Sequence, residues 1–304
     1  MENDLSKIGE SLFNIRNDGV TGHLVGGFGN QLFIAAAAWS QAVRLKCPLY
    51  FDLSWFEKNK DREFGLSGLG LPYRADDASQ ANLILKSINR ITGLAKRSDN
   101  HYQEKAFVYD AGINSVNRGA ELKGYFQSYR YFENIAHKLV DAFEEAGVPE
   151  READLISTLS AEPFLAIHVR RGDYFTNPET RKFHGLCSVN YFMTAIGLVQ
   201  KDIVQLNRVL VFTDSPELVK SEFGTQKGFV YVSDYGEISE LSTLKLMSKA
   251  QSIVISNSSF SWWGAWLCKQ KNPNSVVVAP NPWFSSNQDV SDLLPKDWVV
   301  ISSN

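Results

Sequence analysis

Two adjacent arginines and an aspartate, Arg170, Arg171 and Asp173, close the apolar run Pro163–Val169 in the stretch IHVRRGDYF. If that run is a strand, its side chains alternate, so His168 and Arg170 share one face and Val169 takes the other. Guanidinium groups hold phosphate oxygens through paired, charge-assisted hydrogen bonds. Asp173 would fix one arginine in its rotamer and leave the other for an anion. A structural arginine–aspartate salt bridge would use the same residues, and a lone histidine in an apolar strand is commonly a packed core residue. Two later stretches have the same layout. VFTDS puts Asp214 at the end of an apolar run, and VISNSSFSWWG puts Asn257, Ser258, Ser259 and Phe260 between an apolar run and a helical one. Hydroxyls and backbone N–H groups at a helix N-terminus suit a phosphate. Plain helix capping would equally explain Asp214 or Ser259.

A glycine-rich turn lies near the start, GGFGNQ, Gly26–Gln31. It fails as a dinucleotide fingerprint, because Leu32 stands where the third glycine belongs, and it lacks the lysine of a phosphate-binding P-loop. Gly27 and Gly29 still allow close backbone approach to a ligand. Asn30 offers an amide donor and acceptor and is a reasonable helix N-cap, and Gln31 follows it. No metal is expected: the histidines are scattered and no Asp-x-Asp occurs. A diphosphate would then be neutralised by arginine and helix ends.

The elements that must position these groups read as α/β. In the second half, apolar strands (163–170, 207–215, 228–234, 251–258, 275–284) alternate with helical stretches (189–201, capped by Ser188; 215–224, ended by Gly224; 237–250; 260–270). That pattern implies a parallel sheet covered on both faces, with ligands at the carboxyl ends of the strands. The first half reads less regularly: a strand, the glycine turn and an alanine-rich helix over 23–46, a strand at 48–54, a helix at 78–96, a short strand and turn at 120–134, and an amphipathic helix at 135–147. Trp262, Trp263 and Trp266 read as core or interdomain packing. The length of 304 residues suits two domains, here 1–155 and 156–304.

A net charge of -3 excludes a general basic field for nucleic acid. Three dispersed cysteines and an acidic N-terminal stretch point to a reducing, cytoplasmic setting. The longest apolar run, Leu32–Trp39, is too short to span a bilayer, so membrane contact would be peripheral at most.

Together these stretches resemble the α-1,2-fucosyltransferases of glycosyltransferase family 11. The matching residues are GGFGNQLF (26–33), GYFQSYRYFE (124–133), HVRRGDY (168–174), HGLC (184–187), VFTDS (211–215), LMSKAQSIVISNSSFSWWGAWL (246–267) and APNPWF (279–284). The resemblance implies a GT-B fold, two Rossmann-like domains facing across a cleft, the first receiving the acceptor and the second the donor. It implies inverting transfer of fucose from GDP-fucose, without metal, to the 2-hydroxyl of a terminal β-galactoside on a surface glycan. In that scheme Arg170 binds the β-phosphate, His168 and Arg171 shape its pocket, and Asp173 orients the guanidiniums. Asn257, Ser258, Ser259 and Phe260 complete the wall, Asp214 contacts the nucleoside, and Asn30, Gln31 and the Gly27–Gly29 turn approach sugar and acceptor. Two positions depart from the pattern: Ser215 and Thr243 stand where members often carry acids. Three alternatives remain: another GDP-sugar, a protein hydroxyl as acceptor, and a nucleotide- or glycan-binding protein without catalysis.

Overall fold

The computed structural model describes residues 18–75, 100–172, 177–202, 206–286 and 288–304. The expected helix at 78–96 and the side chain of Asp173 lie outside them. The chain forms two compact units. One ends at Ala142 and includes Ser291–Leu293; the other is Phe143–Val290 with Leu294–Asn304.

The first unit is built on a parallel sheet of order β3-β2-β1-β5-β4, with β1 Val20–His23, β2 Leu49–Asp52, β3 Tyr73–Ala75, β4 His101–Gln103 and β5 Ala120–Lys123. Helix α1, Phe28–Leu45, packs on β1 and is buried from Phe28 almost continuously to Ala42. Its alanines allow this: a Cβ added at Gly22 of β1 would sit 3.0 Å from the Ala38 Cβ, so bulkier residues would force helix and sheet apart. The short helix α2 is Ser54–Lys58. Helix α3, Ala136–Glu145, ends past the unit's last residue.

The second unit has a six-stranded parallel sheet of order β11-β10-β9-β6-β7-β8. Its strands are β6 Leu165–Val169, β7 Val209–Thr213, β8 Phe229–Tyr231, β9 Ser252–Ile255, β10 Val277–Asn281 and β11 Val299–Ser302. Its helices are α4 Glu150–Leu159, α5 Pro178–His184, α6 Val189–Asp202, α7 Pro216–Phe223, α8 Glu240–Met247 and α9 Ser259–Lys271. Helix α4 belongs here, and the division falls before residue 155, because the Glu152 carboxylate accepts from the Ser239 amide (3.2 Å) and hydroxyl (2.6 Å) and from the Ser242 hydroxyl at the start of α8.

One face of β6 carries Leu165, Ile167 and Val169 into a core with Tyr191, Phe192 and Val199 of α6. Trp262, Trp263 and Trp266 pack within this unit, Trp262 stacked on Trp266 at 6.3 Å and close to Trp298 at 5.6 Å. The caps follow the sequence: the Ser188 hydroxyl accepts from the Tyr191 amide at 3.0 Å, and Gly224, at φ 61°, ends α7. Among the described residues no helix is long and apolar enough to cross a membrane.

Candidate functional site

In the second sheet the chain leaves β6 toward β7 and β8, then returns to the other side of β6 with β9. The crevice between the carboxyl ends of β6 and β9 is thus a topological switch point, where open α/β sheets hold their ligands. Arg170 follows β6 directly, and the Ser256–Ser258 turn follows β9 into α9.

Arg170 Nη1 lies 2.8 Å from Asp214 Oδ2, and both side chains are about three-quarters buried. The partner is Asp214 because β6 and β7 run in register: Val169 pairs with Thr213, so the next residues meet. The same carboxylate accepts from the Arg171 amide (2.9 Å) and the Gly172 amide (3.2 Å) through Oδ1. Position 172 must be glycine for this, since a Cβ there would lie 2.3 Å from Asp214 Oδ2. Asp214, expected at the nucleoside, braces the arginine turn. Ser215 serves the same turn, its hydroxyl accepting from the Gly172 amide at 3.1 Å. Thr243, the other departure, returns its hydroxyl to the Ser239 carbonyl at 2.9 Å within α8.

Arg171, expected among the donor contacts, has an ion-pair partner of its own. Its side chain is 3% exposed, and its Nε lies 2.7 Å from Glu222 Oε2 on α7. It anchors the turn from inside. His168 lies on the same face of β6 as Arg170, as alternation requires. It is buried, with Nδ1 3.4 Å from the Ser256 hydroxyl and its ring 5.5 Å from that of Phe260. Burial pushes its pKa down to about 4, with Arg170 adding to the fall and Asp214 opposing it. The imidazole is neutral at pH 7, so it packs the floor beneath Arg170 rather than adding charge.

Beyond β9, Ser258 occupies the cap position of α9 without a side-chain cap bond, and Ser259 and Phe260 form the helix's first turn. Asn257, expected in the same wall, has partners within its own unit. It is 3% exposed, and its amide donates to the carbonyls of His184 (2.6 Å) and Trp283 (3.0 Å) while accepting from the Cys187 thiol (3.5 Å). It ties the HGLC and PNPWF segments to the turn that presents the serines.

In the first unit, α1 starts at Phe28 with Gly27 at the cap position, so Asn30 is not the N-cap. The Asn30 Oδ1 accepts from Gln127 Nε2 at 2.9 Å. Gln31, expected to approach the sugar, is held by three hydrogen bonds within its own unit. It is 1% exposed, donates to the carbonyls of Gly26 (3.0 Å) and Glu63 (2.8 Å), and accepts from the Gly65 amide (2.9 Å). Gly29 is buried in the first helical turn. The Arg62 guanidinium lies against the glycine turn, 3.6 Å from where a Gly27 Cβ would be.

Sequence reasoning missed a second polar cluster at the carboxyl ends of the first sheet. His23 Nδ1 lies 2.8 Å from Asp52 Oδ2, and its Nε2 lies 3.2 Å from Glu121 Oε2. Lys123 stands 3.8 Å from Glu121. Burial works against the charge on His23, but the two carboxylates outweigh it and raise the pKa. Burial also opposes ionisation of Asp52, yet His23 and the Ser54 amide hold that carboxyl well below the usual range. The available signal was an acid and a histidine each closing an apolar strand, in YFD and VTGH.

A sequence model of glycosyl transferase family 11 matches residues 109–302. Alpha-1,2-colitosyltransferase of Escherichia coli is 30% identical over 302 residues, covering 93% of this chain and 98% of its own length. The O-antigen biosynthesis glycosyltransferase WbnK of Escherichia coli is 29% identical over 305 residues, covering 91% and 98%. Among solved structures, the fucosyltransferase NodZ from Bradyrhizobium superposes with a TM-score of 0.47 at 15% identity, over 82% of this chain and 92% of that one.

Proposed function

This chain belongs to glycosyl transferase family 11, and on that premise we propose that it moves L-fucose from GDP-fucose to the 2-hydroxyl of a terminal β-galactoside, with inversion. The observation that carries the reading is Arg170, set at the switch point of the second sheet and fixed in its rotamer by Asp214. As the glycosidic bond lengthens, negative charge gathers on the leaving diphosphate. A guanidinium already in place stabilises that charge without reorganising during the step. The first backbone N–H groups of α9, with Ser258 and Ser259, supply further donors on the neighbouring strand end. Neutralisation by these groups leaves no need for a divalent ion, and Asp173 completes the arginine motif in this reading.

A second donor has a specific observation in its favour: one relative is named an alpha-1,2-colitosyltransferase. Colitose is fucose without its 3-hydroxyl. A site that hydrogen-bonds that hydroxyl rejects the deoxy sugar strongly, whereas an apolar wall there discriminates poorly.

The test is incubation of the full chain with GDP-fucose or GDP-colitose against β1,3- and β1,4-linked galactosides, with and without EDTA. Transfer to O2 that survives EDTA is expected. In Arg170→Ala the rate should fall about 10²–10³-fold with the fold intact. Absence of transfer from both donors, or near-normal turnover in that variant, overturns the proposal.

A further inference from the structure

The first sheet has its own switch point, and nothing above uses it. Strands β2 and β3 lie on one side of β1, and β5 and β4 on the other. The carboxyl ends of β1 and β5 therefore border a crevice of the kind that holds ligands in such sheets. A cavity of about 510 Å³ lies there, lined by His23, Asp52, Ser54, Trp55, Lys58 and Tyr125 among others. That volume falls within the range of small-molecule sites, roughly 300–1,000 Å³.

The wall is built with care. Gly124 sits at φ 150°, and a Cβ there would lie 2.3 Å from the Glu104 Cβ. Phe126, fully buried, is left-handed at φ 52°, a conformation that costs a bulky residue about 1–3 kcal/mol unless its surroundings impose it. Here the Glu104 carboxylate imposes it, accepting from the amides of Tyr125 (2.7 Å) and Phe126 (2.9 Å) through one oxygen. The result is a rigid turn that leaves Tyr125 39% exposed with its ring stacked on Phe107.

The cavity chemistry is selective. Asp52 is an ionised acceptor with no proton to give, clamped by His23 and the Ser54 amide at 2.9 Å. Trp55 adds a large apolar ring on α2, set edge-on to Phe56. A fixed carboxylate beside aromatic faces suits a molecule with hydroxyls on its rim and C–H groups on its faces, which is a pyranose. We infer that this cavity holds a hexopyranose ring of the acceptor, stacked on Trp55 and hydrogen-bonded through a hydroxyl to Asp52, with His23 as the positioning residue. The inference rests on the reading of the chain as a transferase with a glycan acceptor. The cations around the clamp, Lys123 and Lys58, make an anionic ligand the competing outcome.

The experiment is titration of methyl β-galactoside onto the full chain in saturating GDP, followed by saturation-transfer NMR, with steady-state kinetics in parallel. Sugar ring protons should receive magnetisation from aromatic protons. Trp55→Ala and Asp52→Asn should each weaken galactoside binding about tenfold or more and raise the acceptor KM while the donor KM stays put. His23→Gln should raise the acceptor KM less than Asp52→Asn. Galactoside affinity unchanged in both Trp55→Ala and Asp52→Asn overturns the assignment. So does a wild type that binds no galactoside, or one in which inorganic phosphate at millimolar concentration displaces it. Donor turnover by the wild type is scored separately, as release of GDP into water without acceptor. Its presence with a failed galactoside titration sinks the cavity and spares the transferase reading; absence of both this release and any transfer sinks the latter.

Discussion

Gly172→Ala is a single methyl placed against the arginine clamp. The added Cβ would stand 2.3 Å from Asp214 Oδ2, the oxygen that pairs with Arg170. The methyl cannot move without its backbone, and the backbone is tied to the same carboxylate by the amides of Arg171 and Gly172. The carboxylate must swing, and it can keep at most some of its partners. Hydrogen bonds to a charged group are worth about 1.5–3 kcal/mol each, so losing one costs roughly 2 kcal/mol and losing two up to about 4. For a unit of this size that lowers Tm by about 4–8 °C at the smaller figure. The kinetic effect should be larger than the stability effect suggests. A guanidinium displaced by about 1 Å from a developing charge loses on the order of 10²-fold in rate. The control is Gly197→Ala in α6, where a Cβ meets nothing within 4 Å and alanine should stabilise the helix by about 0.5–1 kcal/mol. Differential scanning calorimetry gives the Tm values and radiolabelled sugar transfer gives the rates. If Gly172→Ala turns over within about threefold of wild type, Asp214 does not position Arg170 and the account of the clamp is wrong.

Gln31→Ala should destabilise the first unit by about 1–3 kcal/mol, because the Gly65 amide and the Gly26 and Glu63 carbonyls lose their shared partner; urea unfolding with Gln31→Glu as companion reads it. Asn257→Ala should cost a similar amount in the second unit, with Tm falling more than the donor KM rises, since the amide braces carbonyls. The His23–Asp52–Glu121 cluster should make stability depend on pH in a defined direction. His23 is raised above 6.5, so its contribution is complete below that pH and fades as pH rises through the folded value. Asp52 is lowered from 3.8, so its contribution is complete above that pH and fades in stronger acid. His23→Gln should therefore lose most against wild type between about pH 4 and 6.5; a deficit that grows toward pH 9 contradicts the pairing.

The sequence made the second unit legible because its strands are buried on both faces and read as unbroken apolar runs. β6, β7, β9 and β10 and helices α6, α7, α8 and α9 fall where the pattern puts them, whereas α5, Pro178–His184, was not read from it. What it missed has a common physical cause. β4, His101–Gln103, is a three-residue edge strand defined by its ladder to β5 rather than by any apolar run. β11 is largely exposed along Val299–Ser302, so it carries little hydrophobic signal. β1 begins at Val20, earlier than the strand read at 23, because Val20–His23 takes its register from Leu49–Asp52. The site shows the same limit. Arg170 and the serines before α9 could be placed from their strands alone. The pairing of Arg170 with Asp214 could not, since the two are near only once β6 and β7 pair. Arg171, Gln31 and Asn257 read as ligand contacts from their place just beyond apolar strands. Here each one spends its hydrogen bonds on holding a turn in place.

The position of β6 in the middle of its sheet has a consequence for how the protein is made. The strand that leads into Arg170 leaves the ribosome early in its unit, but its neighbour β9 follows only after β7 and β8, and His168 meets Ser256 across 88 residues. Closing so long a loop is an entropic cost met late. A nascent chain halted before residue 258 would carry the arginine and its Asp214 clamp with one flank of the crevice still missing, so on the proposed function nucleotide affinity should emerge as a step once α9 is made rather than grow with length.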